Sequence, residues 1–322
     1  MSAASASHKP AVLAVMKLPP FYAERLQQSF ELLDRLHVTD PQAFAQAAPR
    51  IRAITGGGES QVDRALMAQL PSLEMVSIMG VGYDKVDVTA ALERRIPVTH
   101  TPDVLNDEVA DTAIGLMLSV ARKLPQADRY VREGRWEKEG AMPLARKMSG
   151  ARLGIVGLGR IGMAIARRAE AFGMSIAYTS RNRKDVKYLY HPSAVELAAH
   201  VDFLVVITPG GAETRHMIDA KVLRALGTKG YLVNVARGSC VDEAALIEAL
   251  RHGTIAGAAL DVFENEPRVP QELREMDNVV LAPHIGSATV QTRHAMASLA
   301  FDNLAAHFAG RPLLTPVPEC RA

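Results

Sequence analysis

Cysteine is scarce in this chain of 322 residues: there are two, Cys240 and Cys320. Two thiols cannot build a disulfide framework in a chain of this length, so a reducing setting is expected and the location reads as cytoplasmic. No uninterrupted apolar run approaches the ~18 residues that a membrane helix needs, so no membrane is expected as a partner. An excess of charge of one sign is missing too. The 37 Lys and Arg against 35 Asp and Glu leave a net +2, which gives no reason to expect a nucleic-acid surface. No His, Cys and Asp cluster has the spacing of a metal site, so no metal is expected. The opening MSAASASHKP lacks a basic stretch followed by an apolar one, so it reads as a short frayed tail and not as a signal peptide.

What is present is ordinary globular composition, 48% hydrophobic and 22% charged, in a chain long enough for about two domains. Short apolar runs alternate with helical patterns. AVLAVM (11–16), IRAIT (51–55), LEMVSIM (73–79) and IPVTH (96–100) read as buried strands. FYAERLQQSFELL and QVDRALMAQL have helical spacing. From Arg152 onward RLGIVG, MSIAYT, VDFLVVI, GYLVNVA, IAGAALDV and NVVLAP make six further strand candidates. Alternation of this kind implies parallel sheets covered on both faces. Two long helices, from Asn106 to Lys123 with Asn106 as N-cap and from about 289 to 309, read as crossings between domains. The expected division is 1–100 plus 289–322 for a discontinuous first domain and 101–288 for the second.

GLGRIG places Gly157, Gly159 and Gly162 in the G-x-G-x-x-G pattern between a strand and a helix. Gly157 suits the tight turn, Gly159 lets a pyrophosphate approach the backbone, and Gly162 lets helix and strand pack closely. The helix N-terminus would then face the phosphates. An acid normally ends the next strand and holds the adenosine ribose. Here that place is Thr179, followed by Ser180, Arg181, Asn182, Arg183 and Lys184. The missing acid removes a repulsion, and the Ser180 hydroxyl and Arg181 guanidinium suit a 2′-phosphate. NADP(H) is therefore the expected cofactor, with NAD(H) also possible.

Three later strands end in groups that can do chemistry. Arg237 follows GYLVNVA, the acids Asp261, Glu264 and Glu266 follow IAGAALDV, and His284 follows NVVLAP. Ligands of such sheets lie beyond the carboxyl ends of the strands. A His can carry a proton, a carboxylate can hold its tautomer, and an Arg can grip an anionic substrate. Glu264 reads as a solvated loop acid, and Cys240 as a small packing residue.

The ordered set GVGYDKVDV, NDEVADTAIGLML, GLGRIG, NVARGSCVDE, ALDVFENEP and APHIGSAT resembles the D-isomer-specific 2-hydroxyacid dehydrogenases over nearly the whole chain. Within that family YTSRNRK and GAMPLARKMSG look most like NADPH-preferring hydroxypyruvate/glyoxylate reductases and their hydroxyphenylpyruvate-reducing relatives. The resemblance implies an α/β protein of two Rossmann-like domains with parallel sheets: a discontinuous, flavodoxin-like substrate domain and a dinucleotide-binding domain. It implies NADPH-dependent reduction of a small 2-keto acid to the D-2-hydroxy acid. Arg237 would bind the substrate carboxylate and keto oxygen, His284 would be the general acid/base, and Glu266 would pair with His284. Val81 and Gly82 would offer amides to the carboxylate. Thr112, Leu158, Arg160, Ile161, Thr208, Thr214, Val235, Ala236, Asp261, His284 and Gly286 would join the glycine turn and Ser180–Asn182 around the cofactor, with Asp261 at the nicotinamide amide. A homodimer is implied as well, with Trp136 or Met142 shaping the partner's pocket. TGGGES (55–60) is a further candidate pocket wall. Two other readings stay open: a cofactor-sensing, corepressor-like scaffold on the same fold, and a reductase for larger 2-keto acids such as 2-ketogluconate or arylpyruvates.

Overall fold

A computed structural model of the chain describes residues 9–321, so the frayed tail expected at the N-terminus falls mainly on residues outside those described. The chain divides into two compact units. One comprises the described residues up to Val104 together with those from Val290 onward, and the other runs Leu105–Thr289.

The first unit is built on five parallel strands: β1 (Ala11–Ala14), β2 (Glu31–Asp34), β3 (Ile51–Gly57), β4 (Met75–Met79) and β5 (Val98–Thr99). Their order is β2-β1-β3-β4-β5, the doubly wound order of a flavodoxin-like sheet. Strands covered on both faces carry continuous apolar runs, and Val12, Leu13, Ile54, Val76 and Ile78 are fully buried. β2 corrects the sequence reading of one helix over FYAERLQQSFELL. The helix Pro20–Ser29 stops at Phe30, whose backbone is extended, and Glu31–Asp34 pairs with Ala11–Ala14. The apolar spacing of Leu32 and Leu33 fits either state; main-chain pairing with β1 decides it. QVDRALMAQL gives a shorter helix than expected, Arg64–Ala68, where Asp63 caps the N-terminus by accepting from Leu66 N. The C-terminal helix Val290–Phe308 returns to this unit, with Ser77 Oγ donating to Ala300 O at 3.0 Å. The segment behind it is stitched to β5, as Val317 N donates to Val98 O at 2.9 Å.

The second unit carries seven parallel strands: β6 (Arg152–Val156), β7 (Ser175–Thr179), β8 (Leu189–Tyr190), β9 (Phe203–Val206), β10 (Tyr231–Asn234), β11 (Gly257–Leu260) and β12 (Val279–Leu281). The order is β12-β11-β10-β9-β6-β7-β8. The chain leaves β6 in one direction through β7 and in the other through β9, so the topological switch point lies between β6 and β9, in the Rossmann manner. β8 was not expected from the sequence. Its two residues, Leu189 and Tyr190, are too few to show a period and form the rim of the sheet, pairing only with β7. The helix Asn106–Arg122 belongs to this unit. Asn106 is its first helical residue and not its N-cap, a place taken by Leu105 without a side-chain cap. Asp107 and Asp111 instead receive Arg168 at 2.9 and 2.5 Å, tying this helix to the one after the glycine turn.

That second helix, Arg160–Glu170, sits close against β6 because Gly162 has no side chain. A Cβ there would stand 2.3 Å from Gly157 O, a main-chain atom that cannot rotate away. Gly162→Ala is expected to cost about 1–3 kcal/mol through overpacking, read as a lower urea midpoint for the purified chain.

Candidate active site

The glycine turn joins β6 to the helix Arg160–Glu170. Gly157 N donates to Thr179 O at 2.9 Å, which fixes the turn beside the end of β7. Gly157 has φ +104°, a conformation that L side chains rarely adopt. On the Cβ side of Gly159, apart from its own chain neighbours, no described atom lies within 4 Å. The turn therefore presents open main chain and a helix N-terminus in one place, which fits a pyrophosphate. Leu158 is buried beneath it, while Arg160 is exposed.

Thr179 closes β7 and is buried, so the ribose-binding acid is replaced by an inward-turned hydroxyl residue. Ser180 Oγ donates to Asn182 O at 2.6 Å, folding the loop back on itself. Arg181 pairs with Glu213 at 2.6 Å, and both side chains are largely exposed. Exposed pairs of this kind hold about 0–1 kcal/mol, so Glu213 fixes Arg181 only weakly. Thr214 Oγ1 donates to Pro209 O at 2.7 Å, and Thr208 stands just before that proline. Thr112, on the helix Asn106–Arg122, donates to Gly286 O at 3.4 Å.

The chemical groups gather beyond β10, β11 and β12. Val235, Ala236 and Arg237 follow β10, where Ala236 N donates to Asn234 Oδ1 and Asn234 Nδ2 donates to Arg237 O, curling the chain round one buried amide. Arg237 Nη1 donates to Ala236 O at 2.9 Å. At Gly238 a Cβ would lie 1.9 Å from the carbonyl carbon of Phe263, so only glycine lets the Arg237 loop press against the loop carrying Glu266. Glu266 Oε2 accepts from His284 Nδ1 at 2.7 Å, and Glu266 Oε1 accepts from Phe263 N at 3.0 Å. This bond assigns the Nδ1 proton and leaves Nε2 as the nitrogen that can exchange a proton.

Burial pushes the Glu266 carboxyl up. The His284 bond, the Phe263 amide and the charges of His284 and Arg237 outweigh it and leave Glu266 below the ordinary range. A carboxylate depressed in this way contributes stability above its unfolded pKa and loses it as the pH falls through the folded value. The pair also forms one wall of a recess of ≈ 230 Å³ otherwise lined by Phe263, Pro267, Val269, Leu281, Ala282 and Pro283. Its apolar walls reduce contact with water on that side of the pair.

Asp261 has a task that the sequence did not reveal. It is 2% exposed, and its two oxygens accept from Ile285 N at 2.7 Å and Gly286 N at 2.8 Å. His284 N donates to Asp261 O at 2.8 Å. Burial raises this carboxyl above the usual range, although the two amides pull the other way. His284 itself has φ +53°, a strained conformation for a residue with a side chain, and these three bonds hold it there. Glu264, expected to be a solvated acid, instead accepts from His216 Nε2 at 2.7 Å and from Arg215 at 3.2 Å. Its place one residue before Asn265 gave no such signal, because both partners come from a distant loop. Cys240 is buried, as a packing residue would be.

In the first unit, Val81 and Gly82 follow β4. Gly57, at the end of β3, donates its N–H to Ser60 Oγ at 2.9 Å. A Cβ on Gly80 would lie 3.0 Å from both Cα and N of Gly58. TGGGES and GVG are thus neighbouring loops whose backbones nearly touch. Trp136 and Met142 lie in the second unit. Trp136 is 63% exposed on the helix Arg135–Glu139, and Leu144 beyond it is fully exposed. Among the described residues no helix is long and apolar enough to cross a membrane, and no three His, Cys, Asp or Glu gather as a metal would require.

Residues 114–286 match the family model described as D-isomer specific 2-hydroxyacid dehydrogenase, NAD binding domain. The chain is 50% identical over 309 residues to glyoxylate/hydroxypyruvate reductase A of Arabidopsis thaliana, covering 95% of this chain and 98% of that protein. It is 49% identical over 310 residues to hydroxyphenylpyruvate reductase of Plectranthus scutellarioides, again 95% and 98%. Among solved structures, the NADPH-dependent glyoxylate/hydroxypyruvate reductase of Sinorhizobium meliloti in complex with NADP and malonate is similar with a TM-score of 0.91 and 50% identity, over 98% of this chain and 99% of that one.

Asp261→Ala would strand the Ile285 and Gly286 amides and release the His284 loop. The expected cost is about 2–4 kcal/mol, since bonds to a charged acceptor are the stronger kind. Thermal unfolding reads the loss of stability, and faster hydrogen exchange confined to residues 284–286 reads its place.

Proposed function

Because the chain belongs to the D-isomer specific 2-hydroxyacid dehydrogenase family, we propose that it reduces a small 2-keto acid of the glyoxylate/hydroxypyruvate kind to the D-2-hydroxy acid, using NADPH. The observation that carries this reading is the 2.7 Å bond between His284 Nδ1 and Glu266. A carboxylate partner favours the protonated imidazole, the form a reductase needs in its general acid.

NADPH, when bound, supplies the hydride that reaches the keto carbon. The open face of Gly159 and the N-terminus of Arg160–Glu170 suit its pyrophosphate, and Ser180 with Arg181 suits its 2′-phosphate. Arg237 holds the substrate carboxylate and draws electron density toward the keto oxygen. His284 Nε2 gives its proton to that oxygen as the carbonyl becomes an alcohol. Glu266 accepts the Nδ1–H bond throughout and stabilises the charge on the ring beforehand. In the first unit, the Val81 and Gly82 amides would be the donors offered to a carboxylate. Asp261 keeps His284 aimed, and its carboxylate would also face the nicotinamide amide. The reading includes a homodimer, and the exposed apolar side chains of Leu124, Val131, Trp136 and Leu144 are surface that a second copy could cover.

The test is the rate of NADPH oxidation with glyoxylate, hydroxypyruvate and 4-hydroxyphenylpyruvate in turn; the order of the three sizes the side-chain pocket, and no turnover with any of them would sink the reading. Glu266→Gln removes the charge that favours protonated His284. The alkaline limb of kcat/KM for reduction should therefore move down by roughly one to two pH units. An unmoved limb would mean that Glu266 does not act through His284.

Arg181→Ala tests the cofactor. The KM for NADPH should rise by about tenfold or more, the value of a charge-assisted bond to phosphate, while the KM for NADH stays nearly unchanged. Equal losses for both cofactors would point to general loop damage and refute a phosphate contact.

A further inference from the structure

We propose that His100, with Thr101 beside it, is a positioning residue that aims the two substrate-binding amides of the Val81–Gly82 loop. This rests on the reading that those amides receive the substrate carboxylate.

The Val81 N–H belongs to the peptide group whose carbonyl is that of Gly80, and the Gly82 N–H to the group whose carbonyl is that of Val81. Peptide groups are planar and trans, so the N–H points away from the C=O of its own group. Fixing both carbonyls therefore aims both N–H groups toward the opposite side. Both carbonyls are fixed, and by consecutive residues: Thr101 N donates to Gly80 O at 2.8 Å, and His100 Nδ1 donates to Val81 O at 3.0 Å. A donor on a carbonyl also polarises the group and makes its N–H a better donor in turn. The substrate carboxylate would meet two amides already oriented and strengthened.

His100 is itself held. It is 7% exposed, and the edge of its ring meets Tyr83 at 5.3 Å between centroids. Its N–H donates to Thr315 O at 3.2 Å, and Thr315 Oγ1 donates to its carbonyl at 2.6 Å. Asn303, fully buried on the C-terminal helix, donates to Thr315 Oγ1 at 2.8 Å and accepts from Leu314 N and Thr315 N at 3.0 Å each. A continuous line of bonds thus runs from Asn303 through Thr315 and His100 to Val81. A buried histidine serving only to fill space would not need its Nδ1 on that particular carbonyl.

The test compares full-length His100→Leu, His100→Asn and Gly82→Pro by steady-state kinetics with hydroxypyruvate, together with NADPH binding by fluorescence. Asn carries an N–H donor close to the place of Nδ1; Leu carries none. His100→Leu should raise the KM for hydroxypyruvate by roughly tenfold, the worth of an oriented bond to an anion, with kcat and NADPH affinity little changed. His100→Asn should restore most of that loss. If His100→Leu leaves KM unchanged while Gly82→Pro raises it, the amides bind substrate and the role of His100 is refuted. If Gly82→Pro also leaves KM unchanged, the carboxylate reading of the loop fails first, and the role of His100 falls with it. Should His100→Leu not fold, Thr315→Val carries the test: it removes the anchoring hydroxyl and keeps its shape, so a raised KM supports the proposal and an unchanged one overturns it.

Discussion

Both oxygens of the Asp261 carboxylate accept main-chain N–H groups, from Ile285 and Gly286, in a place almost closed to water. The main-chain oxygen of the same residue accepts from His284 N. One residue at the end of β11 thereby dictates the path of the chain after β12. The left-handed conformation of His284 would relax without these bonds, because a side chain disfavours it by on the order of 1–3 kcal/mol. The bond from His284 to Glu266 and the recess beside it both follow from where this loop is held. A buried carboxylate costs free energy, visible in its raised pKa, and that cost is offset by the order it imposes on the His284 loop.

The same economy appears at the other loops. Gly238 permits two main chains to touch, which brings the loops of Arg237 and Glu266 side by side. Glu266 then feels two cations, His284 and Arg237, and remains ionised despite burial. In the first unit, the donors of His100 and Thr101 occupy the carbonyls of Gly80 and Val81. In each unit a parallel sheet supplies rigid strand ends, and short loops are fixed by main-chain atoms more than by side chains. Arrangement by main-chain bonds suits catalysis, since groups held in place beforehand need no reorganisation as charge develops.

Much of this was legible in the residue pattern. Alternating apolar runs and helical stretches pointed to two parallel α/β sheets, and two such sheets are present. GLGRIG between strand and helix marked the nucleotide turn, because each glycine there meets a steric demand that a sequence can display. Arg237, Glu266 and His284 stood out as chemical groups placed just beyond strand candidates. Three things stayed hidden. β2 was absorbed into a helix, since Leu32 and Leu33 suit a helix until β1 offers its main chain. β8 is two residues long and shows no period. The bonds of Asp261, Glu264 and His100 join residues far apart in sequence or use main-chain partners, for which no residue type is diagnostic.

The sequence by itself determined the class of fold, the missing ribose acid at Thr179 and the inventory of groups able to bind a carboxylate and carry a proton. Those are properties of residue type and local spacing, which hydrophobic period and turn sterics express directly. The tertiary structure alone decided which nitrogen of His284 is held, that Arg181 rests on Glu213, that Asp261 serves the loop of His284, and that His100 reaches the carbonyl of Val81. Hydrogen bonds depend on distance and direction at the scale of tenths of an ångström, and only the packed chain brings those atoms within that range.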